Sequence, residues 1–129
     1  MKKVIVDTSI WISFLNSAEF TDHFQQLIDQ DRMLRHKLVE LELRVGQIKP
    51  REKFFNDYST LPEAKLPNFD IITSFIEKEK LYGKGLSVID ISIYASARMN
   101  DSLVWTSDKN LRKLCEEKKI HYQLRKETL

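Results

Sequence analysis

Acidic side chains at the ends of apolar runs are where this sequence offers chemistry. Val4-Ile5-Val6 is a continuous β-branched run that reads as a strand buried on both faces, and Asp7 follows it directly. Ligands of open α/β sheets bind beyond the carboxyl ends of the strands, which makes Asp7 a candidate site residue. The competing reading is an N-cap for the helical stretch that follows with Ile10, Trp11, Ile12, Phe14 and Leu15, since Asp, Ser and Thr all cap well. Asp108 repeats the pattern. The apolar strand Leu103-Val104-Trp105 runs into Thr106-Ser107-Asp108, and a helix begins there.

Asp90 is a different case. The stretch Ser87 to Met99 is apolar almost all round, the mark of a buried helix, and Asp90 is its only acid. A buried carboxylate without a partner costs several kcal/mol, roughly. Ser87-Val88-Ile89-Asp90 also fits a capping box with Asp in place of Glu, which is the plainer explanation of the spacing. A fourth acid comes from the helix predicted over Leu38 to Ile48, whose apolar residues Leu38, Leu41, Val45 and Ile48 recur at three- and four-residue steps. Taking that stripe as the buried face, Glu42 lies about 80° from its centre and Glu40 about 120° away. Glu42 is the better placed, although either also reads as an ordinary solvated glutamate.

Three or four converging carboxylates repel one another and raise some of their pKa values. A hard divalent cation with oxygen ligands relieves that repulsion, and magnesium or manganese suits such a site. The chemistry expected is hydrolysis of a phosphodiester, because such an ion lowers the pKa of bound water and polarises a phosphoryl oxygen. Asp7, Asp90 and Asp108 are the expected metal ligands, with Glu42 completing the catalytic set. Thr8, Ser9 and Thr106 are expected to hold a water or a carboxylate, or else to be plain turn and cap residues.

These residues need a scaffold. At 129 residues, with 42% hydrophobic and 31% charged content, the sequence reads as a single domain over 1–129 with a real core. No apolar run approaches the roughly 20 residues of a membrane helix, and Asp7 cuts the N-terminal run too early for a signal peptide. One cysteine, Cys115, and no Cys/His cluster argue for a reducing cytoplasm and against zinc. The net charge of +2 neither requires nor excludes nucleic acid, since clustered acids would mask a larger basic surface. Strands are expected at 4–6, more weakly at 33–38, at 103–106 and at 120–124. Helices are expected over 21–30, 38–48, 50–58, 67–76, 87–99 and 108–118, with a turn at Gly83-Lys84-Gly85. Helices alternating with strands define an α/β class with a mainly parallel sheet.

With those motifs assembled, the chain resembles the PIN-domain family and, within it, the VapC-type toxin ribonucleases of toxin–antitoxin pairs. The resemblance rests on Val4-Ile5-Val6-Asp7-Thr8-Ser9-Ile10-Trp11-Ile12, on the stretch His36 to Ile48, on Leu81 to Asp90, and on Leu103 to Leu111. The register of the second stretch places the family's glutamate on Glu42 and its terminal glycine on Gly46. Lys37 stands where the family usually has Pro, and Leu41 where it commonly has Gly. The resemblance implies a three-layer α/β/α sandwich, metal-dependent endoribonuclease activity, and a cognate antitoxin as partner.

RNA requires cations around such a pocket, and Arg44, Lys84, Arg98, Lys109, Arg112 and Lys113 are the candidates near the motifs. Trp11, Phe14, Phe24 and Phe54 read first as core, and alternatively as a groove for an amphipathic antitoxin segment or a homodimer face. Two other classes remain open from the residues alone. One is a phosphoryl-accepting α/β protein using Asp7, although no second Asp follows two residues on. The other is a non-catalytic module that binds RNA or protein.

Overall fold

The computed structural model describes residues 1–124. β1 (Val4–Val6) is the central strand of a sheet, flanked by β2 (Met33–Leu34) and β3 (Leu103–Trp105), all parallel. Val4 lies opposite both Met33 and Leu103, and Val6 opposite Trp105. All three β1 side chains are buried, as an unbroken β-branched run covered on both faces must be.

α1 (Thr8–Ser17) and α2 (Thr21–Asp29) carry the chain from β1 to β2. α3 (Lys37–Val45), α4 (Arg51–Tyr58), α5 (Phe69–Lys78) and α6 (Val88–Met99) carry it back to β3, and α7 (Lys109–Glu117) follows. The two connections cross the sheet in opposite directions. Parallel crossovers are right-handed, so α1 and α2 cover one face and α6 the other. α6 packs on α5, α7, β1 and β3 and is buried continuously from Ile91 to Ala97. The architecture is the expected three-layer α/β/α sandwich. β1 and β3 are neighbours whose following helices leave toward opposite faces. That divergence, at the carboxyl ends of β1 and β3 where Asp7 and Thr106 meet, is where open α/β sheets have their binding crevice.

Two strands are shorter than expected. β2 ends at Leu34, Arg35 makes one parallel bridge to Glu63, and His36 caps α3. The segment 120–124 contributes a single parallel bridge, His121 to Val104.

The face of α3 is also corrected. The stripe taken as buried points to solvent: Leu41 is 57% exposed and Val45 90%. The buried face is Val39 and Leu43, and His36, 1% exposed, continues it. His36 Nδ1 accepts from the Leu38 amide, and its Nε2 meets Ser96 Oγ of α6 at 2.9 Å. A histidine counted as polar therefore sets the rotation of the helix. The helix ends at Val45, and Ile48 reaches the core from the loop beyond it.

Candidate active site

Asp7 sits at the crevice, 6% exposed. Its Oδ1 accepts from the Thr8 amide at 2.8 Å, which makes it the N-cap of α1. Its Oδ2 accepts from Thr106 Oγ1 at 2.6 Å and from Ser9 Oγ at 3.2 Å. The backbone is tied as well, since the Asp7 amide donates to the Trp105 carbonyl. Burial pushes the Asp7 carboxyl above its ordinary value, against the three hydrogen bonds, and the nearby Asp90 charge pushes the same way.

Thr106 joins Asp7 to Asp108. While its hydroxyl donates to Asp7, the same oxygen accepts from the Asp108 amide at 3.0 Å. Asp108 caps α7 through Oδ1, which accepts from the Leu111 amide. Ser9 closes the other side by accepting from the Ser107 amide at 3.1 Å. Thr106 and Ser9 are therefore cross-links between the ends of β1 and β3, more than turn residues.

Glu42 and Asp90 complete the set. Glu42 Oε1 accepts from Thr8 Oγ1 at 2.7 Å, which brings α3 to the residue beside Asp7. Glu40 lies on the opposite flank of the buried stripe, in ion pairs with Arg35 and Arg44. Asp90 forms the capping box with Ser87, each side chain accepting from the other's amide at 3.0 Å. Its charge bears on Asp7, and burial together with Asp7 and Asp90 pushes the Cys115 thiol up to about 12. The capping and site readings are thus compatible. Asp90 and Asp108 each use one carboxylate oxygen on a helix N-terminus, whose dipole favours the charge, and keep the other.

The turn before α6 is latched to α7. Gly85 has φ +72°, and a Cβ there would lie 2.6 Å from Asn110 Nδ2, which donates to the Gly85 carbonyl.

Among the described residues, none of Asp7, Glu42, Asp90 and Asp108 forms a salt bridge. Nor do three carboxylate, histidine or cysteine side chains close into a ready-made metal cage among them. Asp7, Glu42 and Asp108, linked through Thr8 and Thr106, with Asp90 near enough for its charge to act on Asp7, nevertheless offer oxygen donors that fit a hard divalent ion. Magnesium takes only one or two carboxylates directly and keeps several waters, so it needs no complete cage.

The candidate cations divide. Lys84 and Lys109 are exposed beside the site, on the Gly83–Gly85 turn and next to Asp108 respectively, and Lys113 is exposed on α7. Arg98 lies in the last turn of α6, at the opposite end from Asp90, and is engaged by Glu79. Arg44 pairs with Glu40 and stacks over Phe55, and Arg112 pairs with Glu116. Trp11 and Phe24 are buried, with Phe14 and Phe54 partly buried against them, so the core reading of these aromatics holds. The buried role of His36 and the half-buried role of His121 come only from the fold. Isolated histidines carry no periodic signal, and only their neighbours give them roles.

A profile of the PIN domain matches residues 4–117. The chain belongs to the PIN-domain family. The match spans β1 through α7 and therefore every residue of the crevice. Ribonuclease VapC32 of Mycobacterium tuberculosis, in strains CDC 1551 and H37Rv, is 30% identical to this PIN domain over 115 residues. That alignment covers 88% of this chain and 91% of the relative. PAE2754 from Pyrobaculum aerophilum, a solved structure, superposes with a TM-score of 0.58 at 15% identity. It covers 87% of this chain and 78% of the other, a likeness of fold.

Proposed function

We propose that this PIN domain is a magnesium- or manganese-dependent endoribonuclease acting as the toxin of a toxin–antitoxin pair. The observation that carries the reading is Asp7, a buried carboxylate held by Thr8, Ser9 and Thr106, near further acids that form no salt bridge among the described residues. The 30% identity to proteins named ribonucleases supports RNA as substrate.

Asp7, Asp90 and Asp108 would hold the ion. When bound, a divalent ion supplies charge stabilisation to the phosphoryl oxygens and makes water more acidic. Thr106 and Ser9 hold Asp7 Oδ2, which orients the carboxylate before substrate arrives and leaves Oδ1, bonded among the described residues only to the Thr8 amide, a lone pair for the ion. Thr8 fixes Glu42 through Oε1, leaving Oε2 to receive the proton of the attacking water. Lys84, Lys109 and Lys113 draw the RNA backbone by charge, with Arg112 beside them, and substrate affinity therefore falls with salt. The reading includes a cognate antitoxin bound through an amphipathic segment, a homodimer, and a reducing cytoplasm. No helix among the described residues is long and apolar enough to cross a membrane.

The test is cleavage of single-stranded RNA with magnesium, with EDTA, and after magnesium is restored. Activity lost with EDTA and recovered with magnesium is expected. Full magnesium-dependent activity in Asp7→Asn or Asp90→Asn would refute the assignment. For the toxin role, induced expression should arrest growth, and co-expression of the adjoining reading frame should relieve it.

A further inference from the structure

Beside the acidic crevice lies a second cleft that the proposed chemistry does not use. It has a volume of about 360 Å³, and its lining includes Phe20, Trp105, Thr106, Arg112, His121 and Tyr122. Thr106 belongs to both clefts. Its hydroxyl holds Asp7 while its carbonyl faces His121 Nε2 at 3.4 Å. Whatever enters the second cleft is therefore one residue's width from the candidate catalytic carboxylate.

The lining has a definite chemistry. Tyr122 packs against the Trp105 ring at 5.1 Å between centroids, and Phe20 meets Trp105 edge-on at 5.2 Å. Tyr122 and Phe20 line the cleft and are only partly buried. Arg112, paired with Glu116 at 2.7 Å, brings its guanidinium to the same lining. Among the described residues, buried His121 Nδ1 has no hydrogen-bond partner. The Thr106 carbonyl can only accept, so the proton of the neutral ring lies on Nε2 and Nδ1 presents a lone pair. A further cleft of about 390 Å³ shares Tyr122 and Gln123 and extends to His23 and Arg32, and Arg32 lies over the Tyr122 ring. Aromatic faces interleaved with arginines along a trough are the elements that bind single-stranded nucleic acid by stacking and charge. An unpaired base is also the part of an RNA that a protein can read by its edge.

We infer that the Phe20–Tyr122 cleft receives the nucleobase next to the cleaved phosphate, and that it sets the base preference of the enzyme at that position. The inference rests on the ribonuclease reading. It adds a place where sequence is read, which the carboxylates cannot supply because they address only the phosphate.

The test uses the full-length protein with magnesium and short single-stranded RNAs. Cleavage-end mapping on a randomised RNA first gives the base preference on each side of the cut. RNAs carrying an abasic nucleotide on one side or the other are then compared with the intact RNA. With the wild-type protein, the abasic site on one side should raise KM by roughly tenfold, the effect of losing one base-stacking contact. In Tyr122→Leu, which keeps an apolar side chain against Trp105, that penalty and the base preference should both shrink. Gln123→Ala, at an exposed residue, provides a second variant that leaves the packing alone, and it should weaken the preference. Equal cleavage of intact and abasic RNAs by the wild type would overturn the inference, as would an unchanged penalty and preference in both variants. In either case magnesium-dependent cleavage would persist and the ribonuclease reading would stand. Absence of any cleavage by the wild type would instead remove the reading on which the inference depends.

Discussion

The Thr106 hydroxyl donates to Asp7 Oδ2 at 2.6 Å, across the carboxyl ends of two neighbouring parallel strands. Ninety-nine residues separate the two in sequence, and both are almost completely buried. The bond opposes the rise that burial imposes on the Asp7 carboxyl, and it orients the acid toward the crevice.

Thr106→Val removes that donor and the acceptor for the Asp108 amide. Loss of a hydrogen bond to a charged group should cost about 1.5–3 kcal/mol in urea unfolding. The acid limb of the pH–rate profile should also move to higher pH, since Asp7 would then ionise less readily. Thr106→Ser, which keeps the hydroxyl, should restore the profile. An unshifted profile in the Val variant would deny Thr106 its positioning role.

Asp7→Asn keeps a capping side chain but removes a charge whose ionised form is disfavoured by burial. With the folded pKa raised above the unfolded value, stability falls as pH rises through that interval. At neutral pH without divalent ions, the Asn variant should therefore unfold at a higher temperature than the wild type. Magnesium should reverse the order by stabilising only the wild type, by about 2.7 kcal/mol at 100 times its Kd. Thermal unfolding with and without magnesium measures both effects.

Glu42→Gln retains an acceptor for Thr8 and loses the proton-accepting charge. RNA cleavage should fall by roughly 100-fold with little change in stability. Glu40→Gln breaks only the pairs with Arg35 and Arg44, and it should leave turnover near wild type. Equal losses in the two variants would contradict the different positions of the two acids.

His36 is a further pH-sensitive element of the fold, with the opposite sign to Asp7. Burial lowers its pKa from 6.5 to about 4, only partly offset by the Glu63 charge. The native ring stays neutral while the unfolded ring takes up a proton. Its contribution to stability is therefore complete above pH 6.5 and falls as pH drops toward 4. The loss should reach on the order of 3 kcal/mol. Subtracting the urea stability curve of His36→Asn from that of the wild type, between pH 4 and 7.5, isolates this term.

Gly85→Ala forces a side chain into a positive φ and toward Asn110. It should destabilise by roughly 1 kcal/mol or more and loosen the docking of the Asp90 helix on the Asp108 helix. The prediction is a loss of cleavage activity larger than Asn110→Ala produces, read at a temperature where both variants are folded.

Much of this arrangement was legible in the residues, because covalent order sets it. A β-branched run ending in Asp makes a buried strand with a carboxylate at its end, and two such runs in one parallel sheet place two acids on one edge. Ser87 and Asp90 are three apart, so their capping box is local. What failed was the face of α3. Leu41 and Val45 looked like core and are exposed, while His36, Val39 and Leu43 face inward. With that face buried, Glu40 and Glu42 stand about 80° to either side of it, so periodicity could not choose between them. Tertiary structure chose, because Thr8 lies on one flank and the Arg35 and Arg44 pair on the other. The same holds for Thr106 and His121, whose partners are distant in sequence. The sequence by itself determined which acids end strands and begin helices, because backbone hydrogen bonding within an element depends on near neighbours. Only the folded chain decided which hydroxyl holds which acid, which glutamate joins them, and which aromatic rings line the adjoining cleft. Those contacts close loops of tens of residues, and no local preference encodes them.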